Sequence, residues 1–255
     1  MGDADRLQEF KDRYLTRNAY KLVDTYVLKD GEKHPFALIC PGGGYAVVAN
    51  FVEGKPIAKR LNELGISVFI LYYRVKKKAA FPAPMDDLAR AVGEILENAE
   101  AYHVDPTNYS VWGFSAGGHL AASFGTDNMG YLKYGLPKPA ALVLAYPVVS
   151  MTKELGHWLS HDLLLGREAT LEMEQFASVE RHVTADYPPT YLWCGDADNI
   201  VSPENTRVMA DALKRAGVPV AHQIYPGVDH GIGPGTGTAA QGWINEATHF
   251  WQRQS

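Results

Sequence analysis

The 255-residue sequence predicts an α/β fold in which a mostly parallel central sheet carries helices on both faces. Apolar, β-branched runs alternate with helical patterns along the chain, which is the order expected of parallel strands joined by crossover helices. Several runs are continuously apolar, as strands buried on both faces must be. The seven strand-like runs are Lys21–Leu28, Phe36–Cys40, Ser67–Tyr73, Tyr109–Phe114, Ala140–Tyr146, Thr190–Cys194 and Val220–Tyr225.

The helices expected between these strands have recognisable ends. A helical pattern over Lys55–Leu64 stops at Gly65, which is typical of a C-cap. A second pattern, Met85–Ala101, opens with Asp86 and Asp87, and acidic residues stabilise a helix N-terminus. Three further helices are expected at Ala116–Phe124, at Pro203–Ala216 and within Ala239–Gln252.

The alternation is interrupted once, by residues 151–186. This insertion has a helical pattern around Thr170–Ser178 and leaves the carboxyl end of a predicted strand. Ligands of open α/β sheets bind beyond those ends. We therefore expect the insertion to form a small lid-like pocket wall on a single domain that spans residues 1–255.

Charge and hydropathy exclude two classes of protein. The net charge is −5 and the basic run Lys76–Lys78 is short, so a nucleic-acid partner is not expected. The longest apolar stretch, Ala140–Val149, contains Pro147 and is shorter than the roughly 18 residues that a membrane span needs. We expect neither nucleic acid nor membrane as a partner.

The N-terminal residues and the two cysteines indicate the cellular compartment. The first twenty residues are charged throughout and lack the apolar core of a signal peptide. Cys40 and Cys194 lie in strand-like runs and are expected to be buried free thiols of a reducing compartment. These features predict a cytoplasmic protein, and they leave a homo-oligomer open.

The strongest chemical signal is Gly113-Phe114-Ser115-Ala116-Gly117, which matches G-x-S-x-G. A predicted strand precedes this motif and a predicted helix follows it, as in the nucleophile elbow of the α/β-hydrolase fold. The chain must reverse sharply there while Ser115 adopts a strained conformation, so side chains at positions 113 and 117 would clash with neighbouring elements. Ser115 is the candidate nucleophile.

A serine hydroxyl needs a base, and the base needs an orienting acid. In the order serine, acid, histidine, His230 follows the last predicted strand and is flanked by loop glycines. The acid should follow the strand Thr190–Cys194. Asp198 is the preferred candidate, and the alternative, Asp196, stands closer to the strand and could instead cap a turn.

A glycine-rich loop, Cys40-Pro41-Gly42-Gly43-Gly44-Tyr45, follows the second predicted strand. Bare glycine amides there could bind the oxyanion of an acyl-transfer intermediate. The expected donors are the amides of Gly43, Gly44 and Ala116. The competing interpretation, a phosphate-binding loop, lacks the Lys-Ser/Thr or G-x-G-x-x-G sequence that such loops carry.

Six segments in order resemble the small α/β-hydrolase esterases related to the hormone-sensitive lipase group, and most of all the compact bacterial acetyl and xylan esterases. They are CPGGGY, YYRV, PAPMDDLARAV, GFSAGGHLAAS, CGDADNIVSPENT and GVDHG. The resemblance covers roughly residues 20–252. It implies the α/β-hydrolase fold, a triad of Ser115, Asp198 and His230, and oxyanion amides at Gly43, Gly44 and Ala116.

The sequence departs from the lipase group in two respects. Pro41 stands where that group has a loop-organising histidine, and fewer than about 35 residues precede the oxyanion-loop strand, too few for a helical cap. We expect a more open site, suited to short acyl groups on a bulky polar alcohol.

Other polar residues could line the pocket. His157 and His161 stand four residues apart, a spacing that also suits metals, but we interpret them, with Tyr45, as substrate-binding candidates and expect no metal and no cofactor. His119, on the predicted nucleophile helix, is expected to be structural.

Together these features predict a serine carboxylesterase that hydrolyses short-chain acyl esters. The resemblance implies O-acetyl groups on xylo-oligosaccharides or related sugars as the substrate. The alternative is an arylformamidase-like amide hydrolase. A catalytically silent scaffold is a third hypothesis, but such proteins commonly lose a triad residue, and here all three are present.

Overall fold

The computed structural model describes residues 22–254. Seven strands form one sheet in the order β1-β3-β2-β4-β5-β6-β7, in which β1 pairs antiparallel with β3 and every other pair is parallel. The strands are β1 Val23–Tyr26, β2 His34–Cys40, β3 Ser67–Leu71, β4 Val104–Phe114, β5 Ala141–Ala145, β6 Thr190–Gly195 and β7 Val220–Tyr225. Each predicted run contributes a strand. The expectation about the N-terminal twenty residues lies outside the described residues.

Helices lie on both faces of the sheet, which confirms the predicted fold class. Leu88, Leu120 and Met209 of α2, α4 and α7 belong to the core on one face. Ile57 and Trp243 of α1 and α8 belong to the core on the other. The helices are α1 Lys55–Glu63, α2 Ala83–Glu97, α3 Ala99–Tyr102, α4 Ser115–Phe124, α5 Trp158–Leu164, α6 Leu171–Ala177, α7 Glu204–Arg215 and α8 Trp243–Gln252.

The central strands are buried on both faces, as their uninterrupted apolar sequences predict. Every residue of β3, β5 and β6 is buried. Because strands β2 to β7 are parallel, their carboxyl ends share one edge of the sheet. The loops after β2, β6 and β7 meet there with the start of α4, which follows β4 directly. The candidate chemical residues lie on those loops, at the start of α4 or on the insertion.

The insertion contains two helices, one of which the sequence did not predict. Helix α6 matches the expected helical segment, and its N-cap Thr170 accepts a hydrogen bond from the Met173 amide at 3.3 Å. Helix α5 was missed because, unlike α6, it begins without a capping side chain or an acidic residue in its first turn. Both cysteines are buried free thiols, as expected.

His119 ties the insertion to the body of the fold. It lies on α4 with 0% exposure. The Tyr45 hydroxyl donates to its Nδ1 at 2.9 Å, and its Nε2–H donates to the Ala177 carbonyl at 2.8 Å. One neutral imidazole therefore joins the glycine-rich loop, the nucleophile helix and the insertion, which is the structural role expected of it.

No helix within residues 22–254 combines the length and apolar character needed to cross a bilayer.

His119 makes stability depend on pH in a definite direction. Burial lowers the pKa of His119 from an ordinary value of 6.5 to about 4. Between these two pH values the imidazole is protonated in the unfolded chain and neutral in the folded chain. Stability from this group is complete above pH 6.5 and is lost as the pH falls toward 4. The loss is about 3 kcal/mol. We expect His119→Gln to flatten the dependence of the unfolding free energy on pH over this interval, as measured by urea denaturation.

The matched control is His249→Gln, since His249 is exposed on α8. Its curve should run parallel to that of the wild type. If the His119→Gln curve also ran parallel, the buried imidazole would not be the source of the acid sensitivity.

Candidate active site

Ser115 occupies a strained turn between β4 and α4. Its φ of 53° lies in the left-handed region, as the elbow motif predicts. A Cβ at Gly113 would lie 2.4 Å from the Gly117 carbonyl oxygen, and one at Gly117 would lie 2.1 Å from the Cys40 carbonyl oxygen. Only glycine fits at these two positions, so the motif is a packing requirement of this turn.

The structure brings Ser115, His230 and Asp198 into one hydrogen-bonded chain. His230 Nε2 lies 2.8 Å from Ser115 Oγ, and His230 Nδ1 lies 2.7 Å from Asp198 Oδ2. The Asp198 side chain is fully buried, and that of His230 is 13% exposed. With Nδ1–H donating to the carboxylate, Nε2 is left as an acceptor facing the serine hydroxyl.

The structure also separates the two candidate acids. Besides His230, Asp198 binds the backbone amides of Ile200 and Val201, both 2.9 Å from Oδ1. Asp196 is exposed, and its Oδ1 accepts from the Gly227 amide at 2.7 Å. Asp196 therefore joins the turn after β6 to the turn after β7, while Asp198 orients the imidazole of His230.

The glycine-rich loop packs against the candidate nucleophile, since a Cβ on Gly42 would lie 2.8 Å from Ser115 Cβ. Gly43 and Gly44 have φ values of 119° and 63°, which favour glycine. The Gly43 carbonyl accepts from the amides of Ala46 and Val47 at 2.9 and 3.2 Å, which fixes the turn. Among the described residues, no partner occupies the amides of Gly43 and Gly44. They are available to an incoming oxygen.

The third expected donor, Ala116, lies in the first turn of α4, directly after Ser115. Amides of a first helical turn have no acceptor within their own helix, and they carry the positive end of the helix dipole. In the nucleophile elbow the amide of the residue after the serine is an oxyanion donor, which is the role expected of Ala116.

His157 lies where the insertion meets the glycine-rich loop. A Cβ on Gly44 would be 3.5 Å from His157 Cε1 and 3.0 Å from Leu159 Cδ2. Burial, followed by the positive charge available at His230, holds the pKa of His157 below its ordinary range. The lowered pKa favours the neutral imidazole, which lies beside Gly44.

Two expected substrate contacts are corrected by burial. Tyr45 is 0% exposed, and its hydroxyl is bonded to His119 in the core. His161 is 4% exposed, and its Nε2 lies 3.1 Å from Glu174 Oε1. The spacing of His157 and His161 suggested a shared face, but His157 is the N-cap of α5 and only His161 lies within the helix. Neither Tyr45 nor His161 has the exposed side chain that a substrate contact needs.

Two residues of the site, Glu53 and Tyr146, were not predicted from the sequence. Glu53 lies in a π-helical turn, Asn50–Gly54, and its Oε2 accepts the Gly42 amide at 2.7 Å. Tyr146, at the end of β5, places its ring 4.9 Å from that of His230. An acid just before a helix resembles an ordinary N-terminal acid, and Tyr146 had been assigned to a strand, so neither carried a distinguishing signal.

Comparison with known proteins finds curated relatives that match most of this chain. The chain is 31% identical to endo-1,4-beta-xylanase B of Butyrivibrio fibrisolvens over 86% of its own length and 35% of that protein. It is 30% identical to the acetylxylan esterase of Xylanibacter ruminicola over 77% of its length and 40% of that protein. The chain thus spans well under half the length of these two curated relatives.

Solved structures agree with the fold. The acetyl ester-xyloside bifunctional hydrolase of Caldicellulosiruptor lactoaceticus is 32% identical, with a TM-score of 0.80 over 97% of this chain and 93% of that one. A carboxylesterase of Lactobacillus plantarum, 24% identical with a TM-score of 0.75 over 93% and 96% of the two chains, shows the shared fold alone.

The BD-FAE family model matches residues 23–213, which are more than half of the chain and include the glycine-rich loop, Ser115 and Asp198. The match begins at β1 and ends within α7. With the relatives above, this places the protein as a member of the BD-FAE family.

Proposed function

We propose that the protein is a serine carboxylesterase that removes short acyl groups, acetyl foremost, from O-acetylated xylo-oligosaccharides or related sugars. One observation carries the proposal: the hydrogen-bonded chain Ser115–His230–Asp198 lies beside unoccupied amides at Gly43 and Gly44. A nucleophile, a base, an orienting acid and oxyanion donors are the set that acyl transfer needs.

In the first half-reaction, Ser115 Oγ attacks the ester carbonyl carbon while His230 Nε2 takes the hydroxyl proton. The 2.8 Å separation of these atoms is within the reach of direct proton transfer. Asp198 keeps the Nδ1–H of His230 in place and stabilises the imidazolium that forms. It does not itself accept the proton.

The carbonyl oxygen becomes an oxyanion as the new bond forms. The amides of Gly43, Gly44 and Ala116 donate to this oxygen, and their positions are fixed before the substrate arrives. Loss of one such donor typically costs about 3 kcal/mol of transition-state stabilisation.

Collapse of the tetrahedral intermediate releases the alcohol, which takes the proton from His230, and leaves the acyl group on Ser115. Water then attacks the acyl-enzyme with His230 as the base. The second intermediate expels Ser115 and frees the carboxylic acid, and the proton returns from His230 to Ser115 Oγ. Besides the ester and one water molecule, this scheme uses only groups of the chain itself.

The insertion supports a small acyl group. Leu159 and His157 pack against Gly44, so the wall beside the expected oxyanion position is close to the reacting centre. Trp158, between them in sequence, is 67% exposed and leaves an aromatic face at the rim of the site. A sugar alcohol, which has apolar and polar faces, suits such a rim.

The relatives favour esters over amides. One is named an acetylxylan esterase and another an acetyl ester-xyloside hydrolase. The arylformamidase alternative has no comparable support, and we do not retain it.

The nucleophile is tested by Ser115→Ala. Alanine keeps the Cβ that the turn already accommodates, so the fold and the melting temperature should be preserved. We expect kcat on p-nitrophenyl acetate to fall by about 10⁶-fold. Circular dichroism checks the fold, and a variant that folded and kept more than a tenth of the wild-type rate would overturn the proposal.

The acid is tested by a matched pair of variants. Asp198→Asn should lower kcat by about 10⁴-fold, because an amide in this position favours the wrong tautomer of His230. Asp196→Asn should keep nearly full activity, since its amide oxygen can still accept from Gly227. Equal losses in the two variants would contradict the assignment of Asp198.

Substrate preference is tested in two series. On p-nitrophenyl acetate, butyrate and octanoate, kcat/KM should be highest for acetate because Leu159 and His157 crowd the oxyanion loop. Acetate release from acetylated xylobiose should be faster than formate release from N-formylkynurenine. A preference for octanoate, or for the formamide, would show that the proposed substrate class is wrong.

A further inference from the structure

Glu53 is a buried acid beside the glycine-rich loop. It is 4% exposed, and no Lys or Arg among residues 22–254 forms an ion pair with it. A buried carboxyl without a cation costs folding free energy unless hydrogen bonds compensate. Such groups concentrate at functional sites, so the partners that Glu53 does have are informative.

The first partner is the backbone of the glycine-rich loop. The Gly42 amide donates to Glu53 Oε2 at 2.7 Å, while the Gly42 carbonyl accepts from the Ala49 amide at 3.0 Å. A Cβ on Gly42 would lie 2.8 Å from Glu53 Oε2 and also 2.8 Å from Ser115 Cβ. The carboxyl therefore holds the residue that precedes the oxyanion donors, directly beside the nucleophile.

The second neighbour of Glu53 is Tyr146, whose hydroxyl opposes the rise in the pKa of the buried carboxyl. The same hydroxyl accepts the Gly233 amide at 3.1 Å, and Gly233 lies three residues after His230. The Tyr146 ring meets the His230 ring edge to face at 4.9 Å. Its backbone φ of 38° shows that the chain leaves its favoured region to place this side chain.

We propose that Glu53 is a positioning residue of the ester-hydrolysing site, which fixes the oxyanion loop through Gly42 and the general base through Tyr146. The inference rests on the proposed function. Glu53 would then be a second carboxylate that acts on His230. Asp198 contacts the ring from the loop after β6, whereas Glu53 acts through Tyr146 at the end of β5 and through the glycine-rich loop.

The charge environment gives this arrangement a consequence. The titratable groups that face Glu53 and His230 from the surrounding elements are Asp198, His157, Tyr73 and Tyr146. Burial raises the pKa of Glu53, while the Gly42 amide and the Tyr146 hydroxyl oppose that rise. The reaction itself creates a cation, the His230 imidazolium. The negative charge of the Glu53 carboxylate stabilises this imidazolium.

The test is Glu53→Gln, whose side chain keeps an acceptor for Gly42 but removes the charge. We expect kcat on p-nitrophenyl acetate to fall about tenfold or more, with KM within about twofold of wild type, because the charge acts mainly after the proton has moved. The acid limb of the kcat/KM profile should move to lower pH, since protonation of His230 loses a stabilising anion. A purely structural role would not move this limb.

Tyr146→Phe is the second variant and covers the case in which Glu53→Gln fails to fold. It removes the hydroxyl that joins Glu53 to Gly233, and kcat should fall while KM changes little. Glu174→Gln is the matched control, because Glu174 is also 4% exposed but is bonded to His161 in the insertion. It should leave kcat and the acid limb unchanged.

Wild-type kcat and an unmoved acid limb in both Glu53→Gln and Tyr146→Phe would overturn the inference. If Ser115→Ala were inactive in the same experiments, the proposed function would still stand. Full activity of Ser115→Ala would instead overturn the proposed function, so the two failures are distinguishable.

Discussion

The left-handed backbone of Ser115 is the constraint on which the site depends. Holding φ at 53° in a residue with a side chain costs on the order of 1–3 kcal/mol, and the surrounding packing must supply it. Gly113 and Gly117 make this possible, since backbone atoms of α4 and β2 approach within distances that no Cβ would allow. The same close approach puts the start of the glycine-rich loop against α4. The candidate nucleophile and the proposed oxyanion donors are therefore neighbours because of one close contact between α4 and β2.

The remaining groups reach this point because parallel strands end together. Asp198 follows β6 and His230 follows β7, and each arrives at the sheet edge where β4 delivers Ser115. The insertion after β5 closes one side, and His119 anchors it through the Ala177 carbonyl and the Tyr45 hydroxyl. On another side, the Glu53–Tyr146 pair joins the glycine-rich loop to the loop of His230. The site is thus held by buried polar contacts whose geometry the sheet fixes in advance.

Strands and the triad candidates could be predicted because their signals are local. Continuous apolar runs identify buried strands, and G-x-S-x-G encodes a turn that only glycines permit. The choice of Asp198 over Asp196 depended on spacing, and the hydrogen bonds of each agree with it. Tyr45 and His161 could not be placed from sequence, because whether a polar ring faces a pocket or the core depends on tertiary packing. Glu53 was missed for the same reason: its partners, Gly42 and Tyr146, are 11 and 93 positions away, and no local pattern records such contacts.

The central claim is that Ser115 is a nucleophile activated by His230. Treatment with a fluorophosphonate followed by mass spectrometry of the digested protein tests it most directly, because the reagent is captured only by an activated serine. We expect one stoichiometric adduct, on the peptide that contains Ser115. This adduct should disappear when His230 is replaced by Ala. An unlabelled Ser115 in the folded wild-type protein, or an adduct on another serine, would contradict the account.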